Sequence, residues 1–331
     1  MTPALVAVSP GPYVTIQDTG RRGWRRFGIA TAGAMDIASL IFANSLVGNP
    51  ADSAGLEFAH VGGEWEVAAT SCRIAVTGGD FTLSVDGQKL PNWQSHSLRR
   101  GQRFIIGGAP DAVWGYIGIA GSFDIPPRFG SLATHLRSRL GGLEGGLIKP
   151  GDSLPLAAAV APAALERRVF PRGRPNWPFR IVLGPQQDYF DPASIETFLR
   201  TTYKVTHRAD RMGTWLDGPR IPHARGFNVV SDGIVPGCIQ IPGAGVPVVL
   251  LKDCQTHGGY PKLATVITAD LSRFAQLKPG TPLRFACIGV EAAQAIAVKY
   301  HARLAGIEHW VEDVAEEARP PPQVEPLQRQ G

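Results

Sequence analysis

Short apolar segments interrupted by glycine and proline constrain the fold of this chain more than any other feature. Its 331 residues include 39 glycines and 28 prolines, and patterns long enough to form a helix are few. Brief apolar or alternating runs between such breaks are typical of strands joined by turns. The sequence therefore predicts a mainly β (α+β) fold with a few short helices.

Several individual elements can be placed along the chain. Strands are predicted at Leu56–Ala59, Cys72–Thr77, Phe81–Val85, Arg103–Ile106 and Trp114–Ala120, and helices at Ala34–Gly48, Glu291–Leu304 and Glu308–Ala318. Asp86-Gly87 is a hairpin turn signal. Asn44 lies on the apolar face of the first helix, and a buried amide needs hydrogen-bond partners. We expect the backbone to supply them.

A change of composition divides the chain. Alanine, proline and arginine replace the strand pattern between Ala157 and Pro178. We predict a first domain over residues 1–160, a linker over 161–178, a second domain over 179–305 and a disordered tail over 319–331. The tripeptides Lys149-Pro150-Gly151 and Lys278-Pro279-Gly280 each precede a Leu-containing strand pattern. This internal echo supports two domains built on a related plan.

Composition also narrows the functional classes. The formal net charge of +5 is modest for this length and does not indicate a nucleic-acid partner. We expect no membrane segment, because no apolar run is long enough to span a bilayer. The first residues show neither a basic start nor an apolar core, so no signal peptide is predicted. Four widely spaced cysteines suggest no disulfide framework or metal site, and a reducing cytoplasm is the expected location.

The stretch from Val248 to Leu271 is the most informative for function. An apolar run ending at Leu251 reads as a buried strand, and it is followed directly by Lys252 and Asp253. A loop containing Gly258-Gly259 then leads through further polar residues to a second apolar pattern. Rigid strands often present binding loops in this way. A solvated β-turn explains the same pattern, and spacing alone leaves the two interpretations equal.

Other polar residues lie in predicted loops, namely Asp18, Arg21, Asp36, Asp210, Arg211, Gln240, Gln255, Tyr260 and Lys262. Four arginines surround Trp24, which fits either a phosphate-binding loop or a solvated loop with one packed aromatic residue. Asp18 and Arg21 can also form a simple ion pair. A lysine beside an aspartate can orient a carboxylate or amide substrate, and the aspartate can act as a general base. The sequence contains no P-loop, HExxH or GxSxG signature.

Several longer motifs resemble one known family. They are TIQDTGRRGWRRFGIATAGAMD with ANSLVGNP and LEF after it, GSLATHLRSRLGGLEGGLIKPGD, DRMG, VPGCIQIP and QTHGGYPKLATVITADL. Together they resemble the biotin-dependent carboxyltransferase-related family. That family includes the C subunit of bacterial ATP-dependent 5-oxoprolinase, allophanate hydrolase subunit 2-like proteins and the carboxyltransferase domain of urea carboxylase. The resemblance covers roughly Pro10 to Glu291.

The resemblance implies two cyclophilin-like β-barrel domains with the site between them. It also implies a C-type component that works with 5-oxoprolinase subunits A and B, opening 5-oxoproline to glutamate with release of ADP and phosphate. ATP would be used by the complex. Gly33 to Asp36 contains no lysine, so this chain has no biotin attachment site there.

On this basis we assign catalytic roles to Lys252, Asp253 and Lys262. Substrate binding is assigned to Asp18, Arg21, Asp36, Arg211, Gln240, Gln255, Gly258, Gly259 and Tyr260. No metal ligands are assigned.

Two alternatives to this function stay open. One is a biotin-dependent carboxyltransferase that acts on urea or a related amide. The other is a regulatory antagonist of a histidine-kinase inhibitor, for which a partner-binding surface would suffice. The chain also has Cys254 where the family usually has arginine, and His257 where a small residue is usual. We expect a packed thiol and a surface histidine at these two positions.

Overall fold

A computed structural model describes residues 2–171 and 173–314 of the chain. The predicted tail over 319–331 lies outside these residues. The mainly β class is confirmed, because the described residues form three large sheets of short strands and only four α-helices. None of these helices is long and apolar enough to cross a membrane.

The N-terminal part of the chain forms two antiparallel sheets that enclose one apolar core. Its strands are β1 (Ala4–Pro10), β2 (Val14–Gln17), β3 (Gly55–Ala59), β4 (Gly63–Val67), β5 (Ser71–Thr77), β6 (Leu83–Val85), β7 (Gln88–Leu90), β8 (Ser95–Arg99), β9 (Arg103–Ile106), β10 (Trp114–Ile119) and β11 (Ser153–Pro155). The strand order is β11-β1-β4-β9-β6-β7 in the six-stranded sheet and β2-β3-β10-β5-β8 in the five-stranded sheet. Helix α1 (Ile37–Val47) packs on β10 and β5.

The C-terminal part forms one eight-stranded sheet in the order β21-β14-β15-β18-β17-β20-β13-β22. Its strands are β13 (Phe179–Leu183), β14 (Tyr203–Ala209), β15 (Gly213–Asp217), β17 (Cys238–Gln240), β18 (Val248–Leu250), β20 (Lys262–Val266), β21 (Pro282–Leu283) and β22 (Phe285–Cys287). Only Arg284 separates the two edge strands along the chain. The sheet therefore curls into a nearly closed barrel, which we call the C-terminal barrel.

Smaller elements complete the structure. They are β12 (Arg167–Arg168) paired with β23 (Glu312–Asp313), β16 (Asp232–Gly233) paired with β19 (His257–Gly258), α2 (Pro192–Arg200), α3 (Thr268–Ala275) and α4 (Val290–Ala305). Single 3-10 turns occur at Arg25–Phe27, Leu136–Ser138, Gln187–Tyr189 and Ile307–Trp310.

A second apolar core joins the two parts of the chain. It includes Leu40 of α1 and Trp114 of β10, and it continues into the C-terminal barrel through Phe179 and Ile239. The side chain of Tyr13 meets Trp114 edge to face, with ring centroids 5.7 Å apart. The division into domains at residues 160 and 178 stays a prediction, since shared packing of this kind does not define a boundary.

Several local predictions can now be compared with the structure. The Asp86-Gly87 turn joins β6 and β7, and both residues have positive φ, as a type I′ hairpin requires. The Asn44 amide donates to Ser53 O at 2.8 Å, so its role is structural. The two Lys-Pro-Gly tripeptides form equivalent turns. Gly151 N donates to Ala7 O, and Gly280 N donates to Val205 O, both at 2.8 Å.

The predicted helix from Glu308 to Ala318 is wrong over its described residues. A 3-10 turn occupies Ile307–Trp310, and β23 follows it. The physical reason is tertiary, because β23 pairs with β12 and its two acidic side chains face Arg167 and Arg168 at 3.6 and 3.9 Å. Such pairing can override a local helical pattern.

Close packing of α1 on β10 gives a test of this arrangement. A Cβ atom at Gly118 would lie 2.4 Å from Ala43 O, whereas one at Gly108 would meet only ordinary contacts from 3.6 Å. Overpacking costs about 1–3 kcal/mol. We therefore expect Gly118→Ala to lower the free energy of unfolding by about 2 kcal/mol, measured by urea denaturation. Gly108→Ala is the matched control, and equal stabilities of the two variants would contradict the packing described.

Candidate functional site

A buried ionic cluster joins the N-terminal part to the C-terminal barrel. It consists of Glu57 on β3, Arg211 in the β14–β15 turn and Asp253 after β18. The Arg211 guanidinium binds Asp253 bidentately at 2.9 and 2.8 Å and also donates to Glu57 and to Gly33 O. All three side chains are buried. Buried charges persist only when paired in this way.

Hydrogen bonds and ion pairs compensate the burial of the cluster. Burial raises the pKa of Glu57, whereas Arg211 and the hydrogen bonds from Met35 N and Tyr116 act to lower it. The other Glu57 oxygen accepts from Met35 N at 2.7 Å and from the Tyr116 hydroxyl at 2.8 Å. Burial opposes the charge on Arg211, but Asp253 and Glu57 raise its pKa well above the usual value. Removing one partner would leave an uncompensated buried charge, which is strongly unfavourable. The cluster therefore fixes how the two loops that carry Arg211 and Asp253 sit against the N-terminal part.

Two polar side chains face this cluster without forming part of it. Within the described residues, Lys252 has neither an ion-pair nor a hydrogen-bond partner, and its side chain is half-buried. Burial and the charge of Arg211 lower the pKa of Lys252. Burial likewise raises the pKa of Tyr13, which keeps its hydroxyl protonated. A lysine of lowered pKa is suited to proton transfer or to binding an anion.

A cavity of about 550 Å³ adjoins the cluster. We call it the glutamine pocket. Its lining includes Arg137, Asp210, Trp215, Gln240, Gln255 and Tyr260. Arg137 comes from the N-terminal part and the others from the C-terminal barrel or its loops. The volume falls within the range of about 300–1,000 Å³ that is usual for ligand pockets.

The cluster and the pocket are built from the same two loops. Asp210 and Met212 line the pocket, whereas Arg211 between them points into the cluster. Gln255 lines the pocket two residues after Asp253. Asp210 also accepts from Met212 N and Gly213 N at 2.7 and 3.1 Å, which fixes the turn. The Arg211–Asp253 pair therefore positions two segments of the pocket wall, although neither residue lines the pocket itself.

The polar floor of the pocket is formed where two strands meet. Gln240 on β17 is buried and pairs in register with Lys262 on β20. A Cβ atom at Gly258 would lie 2.6 Å from Ile234 Cδ1 and 3.3 Å from Gln240 Nε2, so a glycine suits this position. Gly259 O accepts from Val229 N at 2.9 Å and shapes the same loop.

Lys262 has a partner that the sequence did not indicate. Its buried ammonium contacts the Asp232 carboxylate at 2.6 Å, and Gln186 also donates to Asp232 at 3.1 Å. These contacts lower the pKa of Asp232 to about 2. Lys262 therefore anchors the β16–β19 ladder beside the pocket.

Asp18 and Arg21 lie apart from the pocket and brace a neighbouring loop. Asp18 accepts from Ser131 Oγ at 2.8 Å and Leu132 N at 2.6 Å, while Arg21 donates to Arg128 O at 3.2 Å and to Ala133 O. The expectation of a solvated loop is wrong for Arg21, which is buried. The suggested Asp18–Arg21 ion pair is also absent from the described residues. Backbone carbonyls of the braced loop take its place.

Asp36 caps helix α1 instead of facing the pocket. Its carboxylate accepts from Ser39 N and Oγ and from Gln276 Nε2, the last at 3.0 Å. Two larger cavities, of about 800 and 590 Å³, lie near residues 173–178. Asp36 lines the smaller of the two, and no other predicted site residue lines either cavity. The structure thus brings together Lys252, Asp253 and Arg211, and separately Gln240, Gln255, Gly258 and Tyr260 with Lys262 next to them.

The two unusual residues of the loop after β18 behave as expected. Cys254 is fully buried, and burial raises the pKa of its thiol to about 11, which suits a packed thiol. The side chain of His257 is exposed, and its Nδ1 lies 3.1 Å from Thr256 Oγ1. In the described residues, no group of histidine, cysteine, aspartate and glutamate side chains is arranged to hold a metal ion.

Sequence reasoning missed Glu57, Arg137 and Asp232. Glu57 lies within a predicted strand, where a charged residue normally indicates a solvent-facing side. Its family motif, LEF, was the one signal that pointed to it. Arg137 lies within the quoted motif GSLATHLRSRLGGLEGGLIKPGD, which does not single it out, and Asp232 lies in a segment without periodicity or motif.

We expect Arg211→Met to destabilise the fold. The variant leaves Glu57 and Asp253 buried without their cation, which costs about 3–5 kcal/mol. Chemical denaturation followed by tryptophan fluorescence would measure this loss. Arg103→Met is the matched control, because Arg103 pairs with Glu64 and Glu66 at the surface, where such pairs contribute about 0–1 kcal/mol. Similar losses from both substitutions would show that the cluster is not a stabilising element.

Most of the chain is similar in sequence to known proteins. Residues 27–287 match the carboxyltransferase domain family, subdomains A and B. The chain is 34% identical to the C subunit of 5-oxoprolinase from Escherichia coli over 291 residues, which are 87% of this chain and 93% of that protein.

Solved protein structures are also similar to this chain. The protein TTHA0988 superposes with a TM-score of 0.78 at 32% identity, covering 86% of this chain and 56% of that one. Urea amidolyase of K. lactis superposes with a TM-score of 0.84 at 27% identity, covering 93% of this chain and 20% of that one. This chain thus spans about half of the first solved protein and a fifth of the second. On this evidence, the chain belongs to the carboxyltransferase domain family, subdomains A and B.

Proposed function

We propose that this chain is the C component of an ATP-dependent 5-oxoprolinase complex, in which it helps to open 5-oxoproline to glutamate. One observation carries the proposal, namely the similarity to the C subunit of 5-oxoprolinase from Escherichia coli over 93% of that protein. A second curated relative, the C subunit of 5-oxoprolinase from Haemophilus influenzae, is 30% identical over 96% of its length. The proposal also takes the cytoplasm as the location and 5-oxoprolinase subunits A and B as the partners.

The chemistry of the glutamine pocket suits such a substrate. 5-Oxoproline carries a lactam amide and a carboxylate. The carboxamides of Gln240 and Gln255 can exchange hydrogen bonds with the lactam N–H and carbonyl, since each carries both donors and an acceptor. Arg137 lines the same pocket and can pair with the carboxylate. Tyr260 and Trp215 supply apolar walls for the ring.

ATP has a clear chemical purpose in this reaction. The lactam amide is stabilised by resonance, and phosphorylation of its oxygen makes the ring carbonyl carbon electrophilic. Water then opens the ring, so that one ATP and two waters give glutamate, ADP and phosphate. We assign no ATP-binding residues to this chain. The part proposed for it is to hold the lactam and, through Lys252, to offer a cation or a proton carrier close to the ionic cluster.

Carboxyl transfer to urea or a related amide is the second candidate. The observation that favours it is the higher TM-score of 0.84 with urea amidolyase of K. lactis. A carboxybiotin carried by another protein would then enter the pocket, and the same carboxamides would bind the acceptor amide. The two candidate functions use different substrates, namely 5-oxoproline and urea or a related amide, so supplying each substrate to the same preparation distinguishes them.

The complex should be tested first with its natural reaction mixture. We expect glutamate to be released from 5-oxoproline only when this chain, both partner components and ATP are all present, as measured by a coupled glutamate assay. The same preparation is then supplied with urea, bicarbonate, ATP and a biotin carboxylase with its biotin carrier protein. Carboxylation of urea without any glutamate release would replace the first candidate by the second.

Substitutions at two lysines test the site. We expect Lys252→Met and Lys262→Ala each to lower kcat at least about tenfold. For Lys252 the reason is the loss of a charge or proton-transfer group, and for Lys262 it is the loss of the ion pair that anchors the β16–β19 ladder beside the pocket. Lys89→Ala is the control, because Lys89 is exposed on the edge strand β7, in a different sheet from the one that carries Glu57. Gel filtration confirms that each variant assembles. Full activity of Lys262→Ala in an intact complex would show that Lys262 is not needed for turnover.

A further inference from the structure

We propose that an exposed face beside the glutamine pocket binds an acidic surface of a partner protein in the complex, which then covers the mouth of the pocket. We call it the arginine–aromatic face, and it consists of Arg22, Trp24, Arg26, Phe27, Arg128 and Phe129. The identity of the partner rests on the function proposed above. The location and chemistry of the face rest on the structure alone.

Three aromatic rings cluster at the surface here. The ring centroid of Trp24 lies 5.6 Å from that of Phe27 and 4.9 Å from that of Phe129. Phe27 is 61% exposed and Phe129 is 46% exposed. Clustered aromatic residues that remain exposed mark interaction sites more often than scattered ones.

Phe129 is held in an unusual backbone conformation. Its φ of 52° lies in the left-handed region, which bulky side chains rarely adopt. The loop around it is braced from below by Asp18 and Arg21 through Ser131 Oγ, Leu132 N and Arg128 O. Strain that is maintained by buried contacts tends to occur at functional positions. The hydrogen bonds of Asp18 and Arg21 therefore hold this loop in a conformation that leaves Phe129 exposed to solvent.

The charge around the rings has one sign. Residues 19–35 and 125–143 contain seven arginines and neither aspartate nor glutamate. Arg26 lies over the Phe27 ring, 4.8 Å from its centroid. Within the described residues, Arg22, Arg26 and Arg128 form no ion pair, and all three are exposed. An uncompensated basic patch favours an acidic partner and speeds its association.

The face is continuous with the rim of the pocket. Arg25 donates to Gln255 O at 2.8 Å and to Ile234 O at 2.6 Å, which ties the loop of Trp24 and Phe27 to the pocket loop. Arg137, from the same braced segment as Phe129, lines the pocket itself. A partner seated on the face would therefore lie next to Gln255 and Arg137. Covering the mouth would exclude water from the bound substrate.

A protein partner fits these observations better than a nucleic acid does. The rings are tilted by 46° and 55° to Trp24, and Arg26 already occupies one side of Phe27. Base stacking needs open ring faces along a groove. In addition, this domain makes up only 56% of TTHA0988 and 20% of K. lactis urea amidolyase, so relatives carry the same fold joined to further chain.

Charge reversal on the face provides the test. We expect the double variant Arg26→Glu/Arg128→Glu to bind the purified A or B component of 5-oxoprolinase at least about tenfold more weakly than the wild type, measured by biolayer interferometry with the full chain. Phe27→Ser should weaken binding similarly. Wild-type binding should also weaken as NaCl rises from about 50 to 500 mM, because exposed charges are screened. Arg99→Glu/Arg100→Glu is the matched control, with two exposed arginines on and after β8.

The outcomes separate this inference from the proposed function. Wild-type affinity in the Arg26→Glu/Arg128→Glu variant, or no binding of the wild type to either component, would overturn the docking surface. Loss of binding to a single-stranded oligonucleotide in that variant, with binding to both components unchanged, would assign the face to nucleic acid instead. Weakened binding to a component in a complex that never releases glutamate would support the docking surface and refute the 5-oxoprolinase proposal.

Discussion

The pairing of Arg211 with Asp253 and Glu57 is the interaction on which the arrangement of the site depends. It connects one strand of the N-terminal part to two loops of the C-terminal barrel without access to water. Apolar contacts alone would allow these surfaces to slide, because hydrophobic attraction has no direction. A buried guanidinium with fixed acceptors permits only one alignment. Asp210 and Met212, on either side of Arg211, line the pocket, so fixing Arg211 in the cluster also fixes this part of the pocket wall.

This division of labour explains why the site needs two kinds of polar residue. Those of the cluster are saturated by one another and hold geometry. Those of the glutamine pocket retain free hydrogen-bonding capacity, since Gln240 makes one long contact at 3.4 Å to Tyr260 O. Lys252 lies near the charges of the cluster but has no ion-pair partner among the residues that the structure describes. Binding sites commonly combine a rigid support with a few adaptable groups.

Much of the fold could be predicted because its signals are local. Glycine turns, alternating strands and the apolar face of α1 are all properties of neighbouring residues, and the Asp86-Gly87 hairpin follows from two residues. The site is different, since Glu57 and Arg211 are 154 positions apart. Nothing in a strand pattern distinguishes a carboxylate that faces solvent from one that faces a distant guanidinium. The Val248–Leu271 stretch was informative because it contributes to both the cluster and the pocket within a few residues.

The near closure of the C-terminal barrel limits how this protein can be joined to others. Its edge strands β21 and β22 lie next to each other in sequence, and β21 is only two residues long. An edge that short gives little backbone for an incoming strand to pair with. Association by extension of this sheet is therefore disfavoured, and recognition at the barrel must rely on side chains. Specificity in any assembly would consequently be encoded in a few surface positions, which can change during evolution without disturbing the β framework.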